Sequence, residues 1–532
     1  MIESIELIFT YSFRDKSSLF TEGVLFRKGG SCMLKQDIIN SIFEFAKKKV
    51  EQHENYHNSL ELEYQRNKRR VTNPPPKEVK IPVHWNANRK HNPYFVLKHY
   101  KKIGTSIFNK LINGEYKPHQ PYINYVDKKG GGKREVYIFQ IPDEAVSNYF
   151  YKKLLSKNKH RFSSFSYAYR NDRNVHYAIN DIGLDIKLSP RTFVAEFDFK
   201  DFFGSINHDY LFAQFNQNGF LISEFEESII KSFLVNMVEG KGIPQGTSLS
   251  LFLANIACWK LDKKLEKEGL RFARYADDTI IWADDYGKIS KSFEIINMFS
   301  TEAGVKINSF KSDGISILSK EGMPSELASY KHYVEFLGYK LSNEHISIKP
   351  SSVNKIKKQI SYILYRNLIQ PLNGETLKSV MIPGNDEDRD FVTAIMQIRR
   401  YLYGNLNERM LKNYLNGSYK RLRFKGIMSF YPLLDDEDQL RHLDKWLIST
   451  ILNTLKKRKR LLLKWGHIRT EQFPFNVNGD GLIQECKVRR IKGKKGIMEI
   501  PSFLRIYQAI RLNVITVGIE KTMNPDSNSY NY

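Results

Sequence analysis

Apolar residues in the stretch 34–70 recur at helical spacing. Ile38, Ile39, Ile42, Phe43, Ala46 and Val50 share one face, and a charged stretch follows, so the pattern predicts a helix. The segment "TNPPPKEVKIP" (72–82) breaks any helix and reads as a linker. From about residue 95 to 345, short β-branched and aromatic runs alternate with helical segments and glycine-rich turns. Beyond 350 the pattern becomes helical and basic, with "SYKRLRFKG" (418–426), "LKKRKRLLLKW" (455–465) and "KVRRIKGKKG" (487–496). The closing "MNPDSNSYNY" is polar and is expected to fray.

Within the alternating region, "RFARYA" and "TIIWA" bracket Asp277 and Asp278. The pattern predicts strand, tight turn, strand, with both carboxylates at the tip. A second pair, Asp284 and Asp285, precedes a run in which Ile289, Phe293, Ile296 and Phe299 recur at helical spacing. That pair reads as a loop or helix N-cap, where a carboxylate favours the helix dipole. "DDED" (435–438), ahead of "LRHLDKWLISTIL", reads the same way.

Composition narrows the classes. The chain has 532 residues, suggesting roughly three or four units, and 41% of them are hydrophobic, enough for buried cores. Lys and Arg total 83 against 58 Asp and Glu, a balance of +25. That favours a polyanionic partner, nucleic acid first and an anionic membrane surface second; the alternative is a set of solvated basic faces. Three cysteines, Cys32, Cys258 and Cys486, lie far apart, which argues against a disulfide framework or a cysteine zinc site. The start lacks the basic region of a signal peptide, and no apolar run reaches the roughly 20 residues of a membrane span. A reducing cytoplasm and no membrane partner are expected.

Two adjacent carboxylates on a hairpin tip repel, and one would take up a proton unless a cation neutralised them. Magnesium suits such a site, since it prefers carboxylate oxygens and keeps positions open for water or phosphate. "FVAEFDFKDFFGSI" (193–206) supplies a third carboxylate: Asp198 interrupts an apolar strand-like run, where a lone charge is costly. Three carboxylates from two elements can hold two Mg²⁺ ions about 4 Å apart, the arrangement of in-line nucleotidyl transfer. Mn²⁺ is the alternative ion.

"AEFDFKDFFGSI", "GKGIPQGTSLSLFLANI" (240–256) and "RYADD" occur in the order and approximate spacing of motifs A, B and C of reverse transcriptases. The resemblance extends through "KKGGGKREVYIFQIPDEAV" (128–146) and "SFSYAYRNDRNVHYAI" (164–179), which look like fingers motifs, to "AGVKINSFKSDG" (303–314) and "VEFLGYKL" (334–341), which look like motifs D and E. It implies an α+β right-hand polymerase, with a helical N-terminal extension (1–95), fingers (96–190), palm (191–345, with about 207–240 adding fingers and palm helices), a helical thumb (346–430) and a helical, basic C-terminal region (431–532).

The resemblance also implies roles. Asp198, Asp277 and Asp278 stand at the metal ligands, with the Phe199 backbone carbonyl beside them. Phe203 stands at the steric gate, where a ring would collide with a 2′-hydroxyl and so select deoxynucleotides; otherwise it is a core Phe. Gln245 lines the incoming nucleotide, and Pro244 and Gly246 shape its turn and let backbone approach closely. Arg134 meets the triphosphate with help from Lys133, unless either is a solvated hairpin charge. Lys311 corresponds to a motif D lysine that donates a proton to pyrophosphate, or lies in a surface turn. Tyr530 and Tyr532 are candidate protein primers; the competing reading is a loose tail that happens to hold tyrosines.

No Cys/His cluster follows the thumb, a valine-threonine-glycine signature typical of retron enzymes is missing, and no ribonuclease H domain is evident. What remains resembles the bacterial unknown-group, or defence-associated, reverse transcriptases. That resemblance implies cDNA synthesis from deoxynucleoside triphosphates in antiviral defence, on an RNA template that is often a cognate non-coding RNA, with self-assembly a family-level expectation. Tyr419, Phe424 and Trp465 among the basic helices fit base stacking, or are core residues beside snorkelling lysines. Two alternatives stay open: an RNA-binding maturase with a vestigial polymerase site, and an RNA-dependent RNA polymerase, which Phe203 opposes.

Overall fold

The structure is a computed structural model that describes residues 31–68, 74, 76–128, 131–235, 237–238, 240–310, 312–324, 327–373, 388–466, 469–488, 490–491, 494–495 and 498–524. Its contacts divide the chain into two interleaved units. One holds the described residues up to Tyr56 with Lys80–Arg161 and Phe203–Ala257; the other holds His57–Val79, Phe162–Phe202 and the described residues from Cys258 onward.

The predicted N-terminal helix runs Ser31–Lys68, and in its first-unit part Ile38, Ile42 and Ala46 are fully buried. Ile39 sits against Gly104 of the helix Pro93–Ile112; a Cβ at Gly104 would come within 2.6 Å of the Ile39 side chain, so the two helices pack closely only because that position has none. Helix Pro93–Ile112 starts where it does because Asn92 accepts the Tyr94 and Phe95 amides and Pro93 presets the first turn. A two-stranded ribbon follows, β1 (Tyr122–Asp127) antiparallel to β2 (Lys133–Ile138). The helix Ser248–Ala257, apolar nearly all round, is buried against the helix Ile141–Asn158, where Ser147 Oγ accepts the Leu249 amide at 2.9 Å.

The second unit is built on a five-stranded sheet of β3 (Arg191–Phe197), β5 (Arg271–Tyr275), β6 (Asp278–Ala283), β8 (Gly314–Ser319) and β9 (Tyr330–Lys331), in the order β5-β6-β3-β8-β9. The short β4 (Phe199–Lys200) pairs with β7 (Lys306–Ile307), and β10 (Val334–Phe336), β11 (Tyr339–Leu341) and β12 (Ile346–Ile348) form an antiparallel meander. The central strands are apolar on both faces because both faces are covered. Phe193 and Phe197 pack on Tyr286 and Phe293 of the helix Tyr286–Ala303, at ring distances of 5.7 and 5.1 Å. Val194, Ile280 and Trp282 face the opposite way. They join a continuous core with Ile179 and Ile182 of the helix Val175–Leu188, the β10–β12 meander, and the helices Pro350–Leu364, Arg389–Tyr403, Glu437–Lys464 and Phe503–Val517. Each such aliphatic or aromatic side chain contributes roughly 1.5–3 kcal/mol when fully buried. The α+β class expected from the sequence holds, and no described helix is long and apolar enough to cross a membrane.

Candidate active site

The hairpin predicted around "RYADD" is present. Tyr275 pairs with Asp278, leaving Ala276 and Asp277 as the two connecting residues. Ala276 takes φ +61°, a left-handed conformation that costs a non-glycine residue roughly 1–2 kcal/mol. Asp277 is half-buried and Asp278 exposed.

What holds that turn is a buried ion pair the sequence reading did not single out. Arg274 donates from Nε to Asp262 Oδ1 at 2.7 Å and from Nη2 to Asp262 Oδ2 at 2.6 Å. The same guanidinium donates from Nη1 to the Ala276 carbonyl at 2.9 Å and from Nη2 to Ser166 Oγ at 2.7 Å. The Asp262 carboxylate keeps this buried guanidinium charged, raising its pKa against the opposing effect of burial. Residues Phe165–Tyr167 line the outer edge of β5: the Arg274 amide donates to the Phe165 carbonyl at 3.0 Å and the Tyr167 amide to the Arg274 carbonyl at 2.9 Å. Below the turn, Cys258 is fully buried, and burial pushes its thiol up to about 12, so it stays protonated.

Asp198 follows the last residue of β3. The final β3–β6 pair is Phe197 with Thr279, so continuing the register sets Asp198 opposite Asp278. The strand end and the hairpin tip, 79 to 80 positions apart in sequence, therefore meet at one end of the sheet. Asp198 is only 7% exposed. Asn308 orients it, donating from Nδ2 to Asp198 Oδ2 at 3.2 Å and from its amide to the Asp198 carbonyl at 2.8 Å. Ser312 Oγ accepts the Asp198 amide at 3.2 Å. Phe199 buries its ring against Phe202 and Phe299, so its backbone is the part left for a ligand role.

Among the described residues, no group of three His, Cys, Asp or Glu is close enough to hold a metal ion. The three aspartates share a sheet end without forming a closed cage. The donor chemistry fits a hard divalent ion: carboxylate oxygens and one backbone carbonyl.

The remaining predicted residues fall as follows. In the first unit, Gln245 pairs with the β1–β2 ribbon through its carbonyl, which accepts the Tyr137 amide at 2.8 Å. Gly246, at φ +128°, lies against the same strand; a Cβ there would come within 2.5 Å of the Tyr137 carbonyl oxygen, which explains the glycine. Arg134 and Lys133 are neighbours on β2, so they project to opposite faces of the ribbon. Phe203 is half-buried, and its carbonyl accepts the Ile243 amide at 2.7 Å, tying it to the loop that carries Gln245. Lys311, Tyr530 and Tyr532 lie outside the described residues.

Asp285 caps the helix Tyr286–Ala303 by accepting the Lys288 amide at 2.7 Å, and Asp436 caps Glu437–Lys464 by accepting the Gln439 amide at 2.9 Å. Asp285 and Asp436 are therefore helix caps, as their positions before periodic helices predicted. Of the aromatics expected to stack bases or pack, Phe424 is core, whereas Tyr419 and Trp465 are 43% and 40% exposed. Arg458, within "LKKRKRLLLKW", is buried on Asp388 and Asp390 and is not a surface charge.

Residues 126–341 match the family described as "Reverse transcriptase (RNA-dependent DNA polymerase)". The matched span takes in the sheet that carries Asp198 and the hairpin, in the α+β arrangement expected of a right-hand polymerase. The chain is 29% identical over 194 residues to the retron Ec86 reverse transcriptase of Escherichia coli, covering 35% of this chain and 56% of that protein. It is 25% identical over 174 residues to protein YkfC of Escherichia coli strain K12, covering 30% of this chain and 45% of that protein. The chain thus spans about half the length of the curated relatives it matches. Among solved structures, telomerase from Candida albicans aligns with 70% of this chain and 68% of its own, at 12% identity and a TM-score of 0.34. Apo telomerase from Candida tropicalis aligns with 71% and 73%, at 12% identity and a TM-score of 0.36. Polymerases of the reverse transcriptase family generally use divalent metal ions.

Proposed function

We propose that this protein is an RNA-directed DNA polymerase that makes cDNA by two-metal nucleotidyl transfer, acting in the bacterial cytoplasm. The observation that carries the reading is the meeting of Asp198 with the Asp277–Asp278 hairpin tip at one end of the palm sheet. Asp198, Asp277, Asp278 and the Phe199 carbonyl would hold magnesium, which when bound activates a primer 3′-hydroxyl and neutralises the leaving pyrophosphate. The chain's own contribution is placement. Asn308 and Ser312 fix Asp198 from one side, and Arg274 fixes the hairpin tip from beneath. Arg134 offers a guanidinium to the triphosphate, and Phe203 excludes ribonucleotides.

Within that reading, the enzyme belongs with the defence-associated bacterial enzymes, copies a cognate non-coding RNA in antiviral defence and self-assembles. The missing retron signature and the helical basic C-terminal region support this placement. The test is primer extension on an RNA template with deoxynucleotides or ribonucleotides, by the parent, Asp277→Asn and Phe203→Ala. The parent should extend with deoxynucleotides only, Asp277→Asn should lose at least about a hundredfold in rate, and Phe203→Ala should admit ribonucleotides. Equal extension by the parent and Asp277→Asn would refute the assignment.

A further inference from the structure

The first unit carries a concentration of charge that the polymerase site does not use. Two neighbouring hollows, of about 590 and 240 Å³, open along the helix Pro93–Ile112 and share Lys102, Ser106 and Lys110 in their walls. Lys101 completes the cationic wall of the larger, and Lys90 and Lys117 that of the smaller. Lys102, Ser106, Lys110 and Asn113 fall three or four residues apart and so line one helix face.

These lysines differ from others in the same unit. Lys49 pairs with Glu144 at 3.0 Å, Lys157 with Glu226 at 2.8 Å and Lys231 with Glu227 at 2.6 Å. None of Lys90, Lys101, Lys102, Lys110 and Lys117 makes an ion pair among the described residues. The one carboxylate that the described residues place in the smaller hollow, Asp143, is 1% exposed and already engaged: its oxygens accept the Tyr116 hydroxyl at 2.8 Å and the His119 amide at 3.1 Å. Among the described residues, Glu115 is the only acidic one lining the larger hollow. Five like charges converging on a concave surface repel one another, and a polyanion relieves that repulsion.

We infer that this helix face is a binding site for the backbone of an RNA strand. Lys102 and Lys110 lie about 12 Å apart along the helix axis, enough to meet more than one phosphate. Thr105, Ser106, Asn109 and Asn113 sit between and beside the lysines. Their hydroxyl and amide groups both donate and accept hydrogen bonds, matching the 2′-hydroxyl that distinguishes RNA from DNA. Lysines of this kind bind without regard to base sequence and hold a strand by its backbone.

The experiment measures the affinity of the full chain for a single-stranded RNA, and for DNA of the same sequence, over a range of salt concentrations. Lys102→Ala/Lys110→Ala removes two exposed charges from the hollows, and Lys47→Ala/Lys48→Ala removes two exposed charges from another helix of the same unit. The first variant should bind RNA about tenfold more weakly, and its log-affinity slope against log salt should be shallower by about 1.4, or about 0.7 for each lost phosphate contact. The second should change neither quantity comparably. Thr105→Val/Asn109→Leu should weaken RNA more than DNA. An unchanged affinity and slope for Lys102→Ala/Lys110→Ala overturns the site, and equal losses for RNA and DNA in the neutral variant overturn its preference for RNA. Extension of a pre-annealed primer is assayed in parallel: an inactive parent would count against the polymerase reading and leave the binding result to decide this one.

Discussion

Arg274 and Asp262 face each other through two parallel hydrogen bonds with neither side chain exposed, and the guanidinium reaches past Asp262 to the carbonyl of Ala276. One buried cation thus joins the helix Trp259–Lys267, an edge strand and the left-handed residue beside Asp277.

Removing one partner leaves the other charge buried and unpaired. Arg274→Met should lower stability by about 3–5 kcal/mol, and Arg274→Met/Asp262→Leu should recover most of it. The double variant still lacks the donor to Ala276, so its extension rate should stay low and its magnesium requirement should rise. Chemical denaturation and a magnesium titration of extension check the two halves. Full recovery of activity would reduce the pair to a packing role.

Asn308 donates from Nδ2 to Asp198 Oδ2 and from its amide to the Asp198 carbonyl. Asn308→Ala removes that orientation without burying a new charge, and should cost about 0.5–1.5 kcal/mol of stability. The expected effect on extension is a higher magnesium concentration at half-maximal rate with a smaller change in maximal rate. A pure loss of maximal rate with unchanged magnesium dependence would contradict the positioning role.

Gly246 leaves no room for a side chain against Tyr137. Gly246→Ala should displace the turn from the β1–β2 ribbon and break the bond from the Tyr137 amide to the Gln245 carbonyl. Faster hydrogen exchange at the Tyr137 amide would register the break, together with a raised KM for deoxynucleotides. Unchanged exchange would show that the turn can yield elsewhere.

His176 is 1% exposed and lies beside the Tyr339 hydroxyl at 3.3 Å. Burial lowers its pKa to about 4. The unfolded chain, with a histidine near 6.5, therefore binds a proton that the folded chain resists. The stability this group contributes is intact above about pH 6.5, declines as pH falls, and is lost by about pH 4, a change on the order of 3 kcal/mol. His176→Gln should flatten the stability profile across that window in denaturation measured from pH 7 to 4.

The sequence by itself determined the local elements and the residue types gathered at the candidate site. Periodicity gave the N-terminal helix and the helix after Asp285, and the aspartates between "RFARYA" and "TIIWA" gave the hairpin. These features are local: 3.6-residue and two-residue alternation, and turn residues at fixed offsets, act between near neighbours. Tertiary structure decided which distant residues serve them. Arg274 in an apolar strand signalled a need for a partner, but any of 58 acidic residues could have answered, and only the packing of the helix Trp259–Lys267 on β5 selected Asp262. Asn308 beside Asp198, and five lysines around two hollows that make no ion pair among the described residues, arise the same way. Burial and cross-chain pairing depend on how whole elements pack, which no short window of sequence contains.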